Sequence, residues 1–138
     1  MQATRSRGTG RAYVAAVSEQ ADRLQERTFR FALDVIELTK TLPGTEPSPT
    51  IRRQLTKAAT SVGANYRAAR RARSHAEFTA KIGVVAEEAD ESVYWLDVVA
   101  GAQLTTSPEL PRLQQESREL TAIFSRAAGT ARLNAKNR

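Results

Sequence analysis

Three closely spaced glutamates, Glu87, Glu88 and Glu91, are the residues in this sequence whose type and spacing most resemble a chemical site. Carboxylates bind pairs of metal ions inside helical bundles, but those sites need glutamates from several helices together with Glu-x-x-His pairs. The sequence contains no Glu-x-x-His pair, and His75 is its only histidine. We therefore expect no metal ion and no cofactor, and a structural role for His75 at a helix start.

Nucleophilic catalysis has equally little support in the sequence. A Ser-His-Asp arrangement would have to use His75, and no serine lies within the glycine pattern of a nucleophile elbow. Glycine-rich phosphate-binding motifs do not occur. The chain has no cysteine, which excludes disulfides and thiolate metal sites. The sequence therefore predicts a protein that is not an enzyme.

Positive charge is densest between residues 67 and 73. On a helical wheel of about 100° per residue, a stripe of four cations falls on one side of the helix predicted for this region, namely Arg53, Lys57, Arg67 and Arg71. We take this stripe and one neighbouring arginine as candidate nucleic-acid contacts: Arg53, Lys57, Arg67, Arg70 and Arg71. Two alternatives remain open, since these cations could pair with the glutamates at 87–91, within or between subunits, or with phosphates of RNA or DNA.

The net charge of +6 comes from the two ends of the chain. Residues 1–11 and 126–138 together carry seven cations and no acid, so residues 12–125 carry about −1. Basic ends can bind phosphates, but they are also common as solvated extensions. We predict a flexible basic arm over residues 1–19, a bundle over 20–130 and a basic tail over 131–138.

Four amphipathic helices organise the rest of the sequence. Apolar residues recur at steps of three and four over 20–42, and a proline-rich segment at 43–49 ends that helix. Ser48 before Pro49 predicts the cap of a second helix reaching about residue 72. Ser74 and Glu77 form a capping box for a third, to Leu104. A further Ser-Pro pair at 107 predicts a fourth, so the fold class is an all-α, antiparallel up-down four-helix bundle.

The third predicted helix has apolar residues on two faces. One face is expected to contact the core, and the other carries residues interleaved with the glutamates. A wide core within one subunit would explain this pattern, but we favour a subunit interface because Trp and Tyr are enriched there. The candidate interface residues are Val84, Glu88, Glu91, Tyr94, Trp95 and Val98.

Two further motifs carry a family resemblance. The run from Ser61 through Val62-Gly63-Ala64-Asn65-Tyr66-Arg67, followed by Tyr94-Trp95-Leu96, resembles the small bacterial four-helix bundle proteins of 23S rRNA intervening sequences. The similarity extends over about residues 27–128. The motif residues carried over by position are Ser61, Asn65 and Arg67, with Glu88, Glu91, Tyr94 and Trp95.

The resemblance implies a homopentamer, which agrees with an apolar second face on the third helix. The wider family is similar to accessory proteins of diversity-generating retroelements, and this implies possible binding to RNA or DNA and to a reverse transcriptase. Residues 69–73 are more basic than the family pattern, which favours a basic surface. The chain has no membrane-spanning or signal-like segment, so we expect a cytoplasmic protein without membrane contact.

Overall fold

The computed structural model describes the backbone of residues 2–136 and the side chains of residues 10–136, and it contains four α-helices. They are α1 (Gln2–Thr39), α2 (Ser48–Arg70), α3 (His75–Gly101) and α4 (Leu110–Lys136). Each helix packs against its neighbours in sequence, and α1 also contacts α4, which closes the bundle. Short links reverse the chain direction between helices, and the predicted up-down four-helix bundle is confirmed.

The core is built from the apolar stripe that each helix turns inward. Residues at steps of three and four on the four helices are almost completely inaccessible to solvent, as expected for amphipathic helices around one core. The largest fully buried side chains are Phe31, Val35, Leu38, Leu55, Val62, Ile82, Val85, Leu96, Val99, Leu113, Leu120 and Phe124.

Helix α1 is much longer than the sequence predicts. Residues 2–19, expected to form an arm that turns helical only near Glu19, belong to α1 from Gln2 onward, so the predicted start of this helix was wrong. The segment has no proline, and its two glycines each disfavour helix by only about 1 kcal/mol. Because the packed part of α1 supplies the costly nucleus, the helix propagates outward at little further cost.

The C-terminal boundary also lies further out than predicted. Helix α4 continues to Lys136, and Ala131, which the prediction assigned to the tail, is buried in the core. The periodic apolar stripe of α4 simply continues for one more turn, and this places residue 131 inside the bundle. Residues 137 and 138 of the predicted tail lie outside the described residues.

The starts of the helices are partly as predicted. Ser74 accepts a hydrogen bond from the Glu77 backbone N–H at 3.0 Å, and the Glu77 carboxylate accepts one from the Arg73 N–H at 3.0 Å. This pair acts as the predicted capping box, except that Glu77 contacts the residue before the cap. The box separates α2 from α3, so the two are not one bent rod.

Ser48 does not cap α2. The carbonyl of Pro47 already accepts from the Ile51 N–H, so the helix begins one residue earlier than predicted and Pro47 is the cap residue. The hydroxyl of Ser48 is buried without a hydrogen-bond partner in the described part of the chain. Helix α3 ends at Gly101 rather than Leu104, where Gln103 turns the chain with a positive φ of 54°. Helix α4 begins at Leu110, two residues after Pro108.

Candidate interaction surfaces

The three glutamates of α3 do not form a metal site. Glu87 and Glu91 are exposed, and Glu88 is half-buried. Across residues 10–136, no group of three or more acidic, histidine or cysteine side chains could hold a metal ion. Burial raises the pKa of Glu88, Glu91 raises it further, and Lys57 opposes the shift. The three carboxylates therefore form an exposed acidic strip whose members repel one another.

His75 joins two helices. Its Nε2 atom lies 2.9 Å from the carbonyl oxygen of Ala131, so the ring nitrogen donates a hydrogen bond from the start of α3 to the end of α4. A carbonyl can only accept, which fixes the tautomer with a proton on Nε2. The contact gives His75 the structural position expected from the sequence.

Four cations lie together on the outer face of α2, and we call them the α2 basic stripe: Arg53, Lys57, Arg67 and Arg71. All four side chains are exposed. Among the side chains that the structure describes, none of the four forms an ion pair with Glu87, Glu88 or Glu91. Pairing of these two groups within one subunit, one of the open alternatives, is therefore not observed.

Arg70 is separated from this stripe. Its guanidinium pairs with Asp22 of α1 at 2.8 Å and donates to the side-chain oxygen of Gln25 at 2.8 Å. These contacts connect the end of α2 to α1. Arg70 thus differs from the other four nucleic-acid candidates, because its charge is already matched inside the protomer.

A basic depression lies between the end of α2 and the start of α3. Its charged lining consists of Arg67, Arg71, Arg73, Lys81 and Glu77. Lys81 was not among the candidate residues predicted from the sequence. The sequence could have indicated Lys81, because it lies four residues after Glu77. This spacing places Lys81 and Glu77 on one face of α3, beside the arginine-rich end of α2.

The motif residues of α2 serve mainly to pack the helices. A Cβ at Gly63 would lie 3.3 Å from the Thr28 hydroxyl oxygen of α1, so glycine permits the close approach of these two helices. Tyr66 packs on Phe124 with ring centroids 5.2 Å apart. Asn65 donates to the Ser61 carbonyl at 2.8 Å within its own helix. This part of the motif therefore specifies the bundle rather than a chemical site.

The second apolar face of α3 is narrower than predicted. Tyr94 is 60% exposed and Val84 is 38% exposed, but Trp95 and Val98 are partly buried against the core. The rings of Tyr94 and Trp95 meet edge to face at 5.0 Å. We call the outward set, Val84, Glu87, Glu91 and Tyr94, the α3 ridge. The α3 ridge is the part of the predicted second face that is exposed and can contact a partner.

Helix α1 carries two exposed apolar features that were not predicted from the sequence. One is the α1–α2 groove, whose apolar lining is Phe29, Ala32, Leu33, Ile36, Gly63 and Ala64. The other is a stripe on the outer half of α1 that includes Tyr13, Val14 and Val17. The sequence could have indicated this stripe, because apolar residues continue at steps of three and four before residue 20.

None of the helices in the described part of the chain is both long and apolar enough to cross a bilayer.

Comparison with known proteins places this geometry in a family. The family model described as 23S rRNA-intervening sequence protein matches residues 22–126. A crystal structure of a protein of unknown function from the S23 ribosomal protein family of Bacteroides thetaiotaomicron is similar, with a TM-score of 0.71 and 25% identity. The match covers 79% of this chain and 97% of that one. A search of the curated proteins finds no match.

The matched region begins in the packed half of α1 and ends in α4, so it spans the four helices and both parts of the sequence motif. The chain belongs to the family of 23S rRNA-intervening sequence proteins.

Proposed function

We propose that this protein is a non-enzymatic, homo-oligomeric helical bundle, a pentamer by family resemblance, that binds RNA or DNA weakly through its basic surface. The binding surface consists of the α2 basic stripe and the basic depression beside it. The observation that carries the proposal is that the four exposed cations of the α2 basic stripe form no ion pair among the described residues.

The contrast with other arginines of the chain supports this assignment. Arg27, Arg112 and Arg118 each form an ion pair with an acid on another helix. The arginines of the basic depression lie close together instead, and Glu77 is the only acid in its lining. Clustered cations without counter-charges attract phosphate groups, which are spaced along a nucleic-acid strand. Because the similar structure belongs to the S23 ribosomal protein family, RNA is the first ligand to test.

Binding through phosphates predicts a strong salt dependence. Affinity for mixed-sequence RNA and DNA, measured by fluorescence anisotropy, should fall by roughly tenfold or more between about 50 and 200 mM salt if several phosphates are contacted. Absent or salt-insensitive binding would contradict the proposal.

Single substitutions locate the surface. Arg71→Ala and Arg73→Ala should each weaken binding and lower the slope of log affinity against log salt by about 1. Arg112→Ala is the matched control, because its guanidinium is already paired with Asp34 and Glu109 on the α4 side. Equal effects of all three substitutions would indicate attraction to net charge without a defined site.

The second candidate function is a protein–protein adaptor with no direct nucleic-acid contact. The exposed apolar stripe on the outer half of α1 favours it, since Tyr13 is 70% and Val14 is 65% exposed. Exposed apolar residues on one helical face are typical of surfaces that dock another protein. The retroelement resemblance makes a reverse transcriptase the first partner class to test.

The adaptor function predicts capture of a protein partner that survives nuclease treatment. The double substitution Tyr13→Ser with Val17→Ser should abolish that capture and leave nucleic-acid affinity unchanged. Loss of the captured protein after nuclease treatment would favour the nucleic-acid function instead.

A further inference from the structure

Large apolar side chains are exposed at two places on the bundle body, one along α3 and one between α1 and α2. On the α3 ridge, Tyr94 and Val84 are exposed. In the α1–α2 groove, Phe29 is 56% exposed although it lies among the packed residues of α1. Large apolar side chains grouped at a surface mark sites of association. The bundle thus presents one convex and one concave patch.

The α1–α2 groove has the form of a site for a helix. Its volume is about 470 Å³, and small residues, Gly63 and Ala64, lie on its α2 side. Phe29, Leu33 and Ile36 line its α1 side. Small residues on one wall and large apolar residues on the other allow the side chains of a third helix to enter between the two.

Charge distinguishes the two surfaces. The α3 ridge carries Glu87 and Glu91, whose carboxylates form no ion pair among the described side chains. Arg67 lines the groove, and the rest of the α2 basic stripe continues on the outer face of the same helix. Glu26 is the groove's acid without an ion pair in the described chain, since Asp22 is paired with Arg70. The ridge is therefore negative, and the cations beside the groove lie on its α2 side, whereas its α1 side carries the acids Asp22 and Glu26.

The lengths of the two surfaces also agree. From Asp22 to Ile36 the groove follows α1 for about 21 Å, at about 1.5 Å per residue. From Val84 to Tyr94 the ridge extends for about 15 Å by the same rise. The ridge is therefore shorter than the groove, so its length allows it to lie along the groove.

We propose that the α3 ridge of one copy of this chain inserts into the α1–α2 groove of a second copy. The proposal rests on the self-assembly proposed above and names the two surfaces that produce it. It places Tyr94 beside the Phe29 side of the groove and the ridge glutamates beside Arg67 and its neighbours on α2. Because the two surfaces differ, the contact is head to tail, and repetition of such a contact closes a ring when the rotation allows.

This arrangement divides the cations of this surface between two tasks. Arg67 lies between the groove and the basic depression and lines both, and the proposed contact uses its groove side. Arg71, Arg73 and Lys81 line the depression and not the groove. Self-assembly would therefore use the α1–α2 groove, and nucleic-acid binding would use the depression between the end of α2 and the start of α3.

Two substitutions that each damage one surface test the proposal by mixing. Phe29→Asp blocks the groove and Tyr94→Asp blocks the ridge, and both replace exposed side chains, so each variant should fold. Each variant alone should be monomeric by light scattering after size exclusion. An equimolar mixture should form a dimer of twice the protomer mass, because one intact groove remains to receive one intact ridge. Leu133→Asp, an equally exposed apolar side chain at the end of α4, is the control and should assemble like the unmodified chain.

The outcomes separate this inference from the assembly itself. A monomeric unmodified chain would remove the proposed self-assembly and the inference with it. If Tyr94→Asp is monomeric but Phe29→Asp assembles normally, self-assembly stands and the groove is not its partner surface. Failure of two helical, monomeric variants to combine would likewise overturn the head-to-tail contact. Helicity of every variant is checked by circular dichroism.

Discussion

The α4 side of the bundle and its α2–α3 side use charge in opposite ways. On the α4 side, Arg27 contacts Glu116 through two hydrogen bonds of 2.8 and 2.6 Å, and Arg118 pairs with Asp97 at 2.8 Å. On the α2–α3 side, Lys57 of the α2 basic stripe lies near Glu88 of α3, but the stripe and the three glutamates form no ion pairs in the described residues. The first arrangement connects helices, and the second leaves charge for a partner.

Apolar packing differs between the two sides as well. Trp95 of α3 is partly buried against the core, and its indole Nε1 is buried without an acceptor among the described atoms. Several α4 positions that face the core hold small residues, including Ser117, Ala128 and Ala131. The large side chains of α4, Leu113, Leu120 and Phe124, are completely buried, whereas Trp95 of α3 is only partly buried.

Truncation of Trp95, the bulky side chain of the α2–α3 side, should have the largest effect on stability. Trp95→Ala should lower the free energy of unfolding by about 2–3 kcal/mol, less than for a fully buried tryptophan, because the side chain is only partly buried. Urea denaturation followed by circular dichroism measures the change. The mass in solution should also shift toward smaller species, since Tyr94 packs on the Trp95 ring at the ridge. A change below about 0.5 kcal/mol would place Trp95 among surface positions.

The next largest effect is expected on the opposite side. Arg27→Ala should cost about 1 kcal/mol, near the upper limit for such pairs, because the contact is bidentate and Glu116 is mostly shielded from water. The carboxylate of Glu116 also holds the pKa of Arg27 above its ordinary value. Arg67→Ala is the matched control, and we expect no measurable loss of stability in the isolated protomer. Equal losses for the two variants would remove the contrast between the sides.

The helices and most of the core were predictable from sequence because they follow from local rules. The three-and-four spacing of Leu55, Val62 and their equivalents identifies the buried faces, and the Ser74–Glu77 pair identifies the break before α3. The predicted start of α1 near residue 20 is wrong because weak periodicity and glycines disfavour a helix only locally. The helicity of the segment before residue 20 depends on continuation from the packed part of α1, which is not a local property.

The candidate surfaces were only partly predictable. The wheel for α3 correctly placed Tyr94 and Val84 outward, but it could not show that Trp95 is partly buried against the core. The α1–α2 groove was missed because it depends on the distance between two helices, which is set by Gly63 against Thr28. The pairing of Arg70 with Asp22 could likewise not be predicted from the sequence, since those residues are far apart in the chain.

A second pair of arginines, one from each side, should separate stability from binding. Arg118→Ala should lower stability by no more than about 0.5 kcal/mol, because its pair with Asp97 is exposed. The loss should disappear near about 1 M salt, where screening acts over about 3 Å. Arg71→Ala should leave stability unchanged but weaken nucleic-acid binding. Loss of binding in Arg118→Ala instead would move the nucleic-acid surface to the α4 side.

The smallest effect is expected at Glu88 on the α2–α3 side. Its unpaired carboxylate should make the free energy of unfolding depend on pH. Burial, followed by repulsion from Glu91, raises the pKa of this carboxyl above its unfolded value, and the charge of Lys57 only partly opposes the shift. The folded state therefore holds the proton more tightly than the unfolded state. Ionisation of Glu88 should thus reduce stability as pH rises through the interval between the two pKa values.

Glu88→Gln removes this penalty, so the variant should be more stable than the unmodified protein at neutral pH. The difference should vanish below about pH 3, where the carboxyl is protonated in both states. Urea midpoints of both proteins across this range measure it, with Asp90→Asn as a control for the loss of one negative charge on α3. If Glu88→Gln is instead less stable at neutral pH, a cation must meet this carboxylate in solution. In the assembled protein that cation would belong to another subunit, and the contrast between the two sides would then hold only for the isolated protomer.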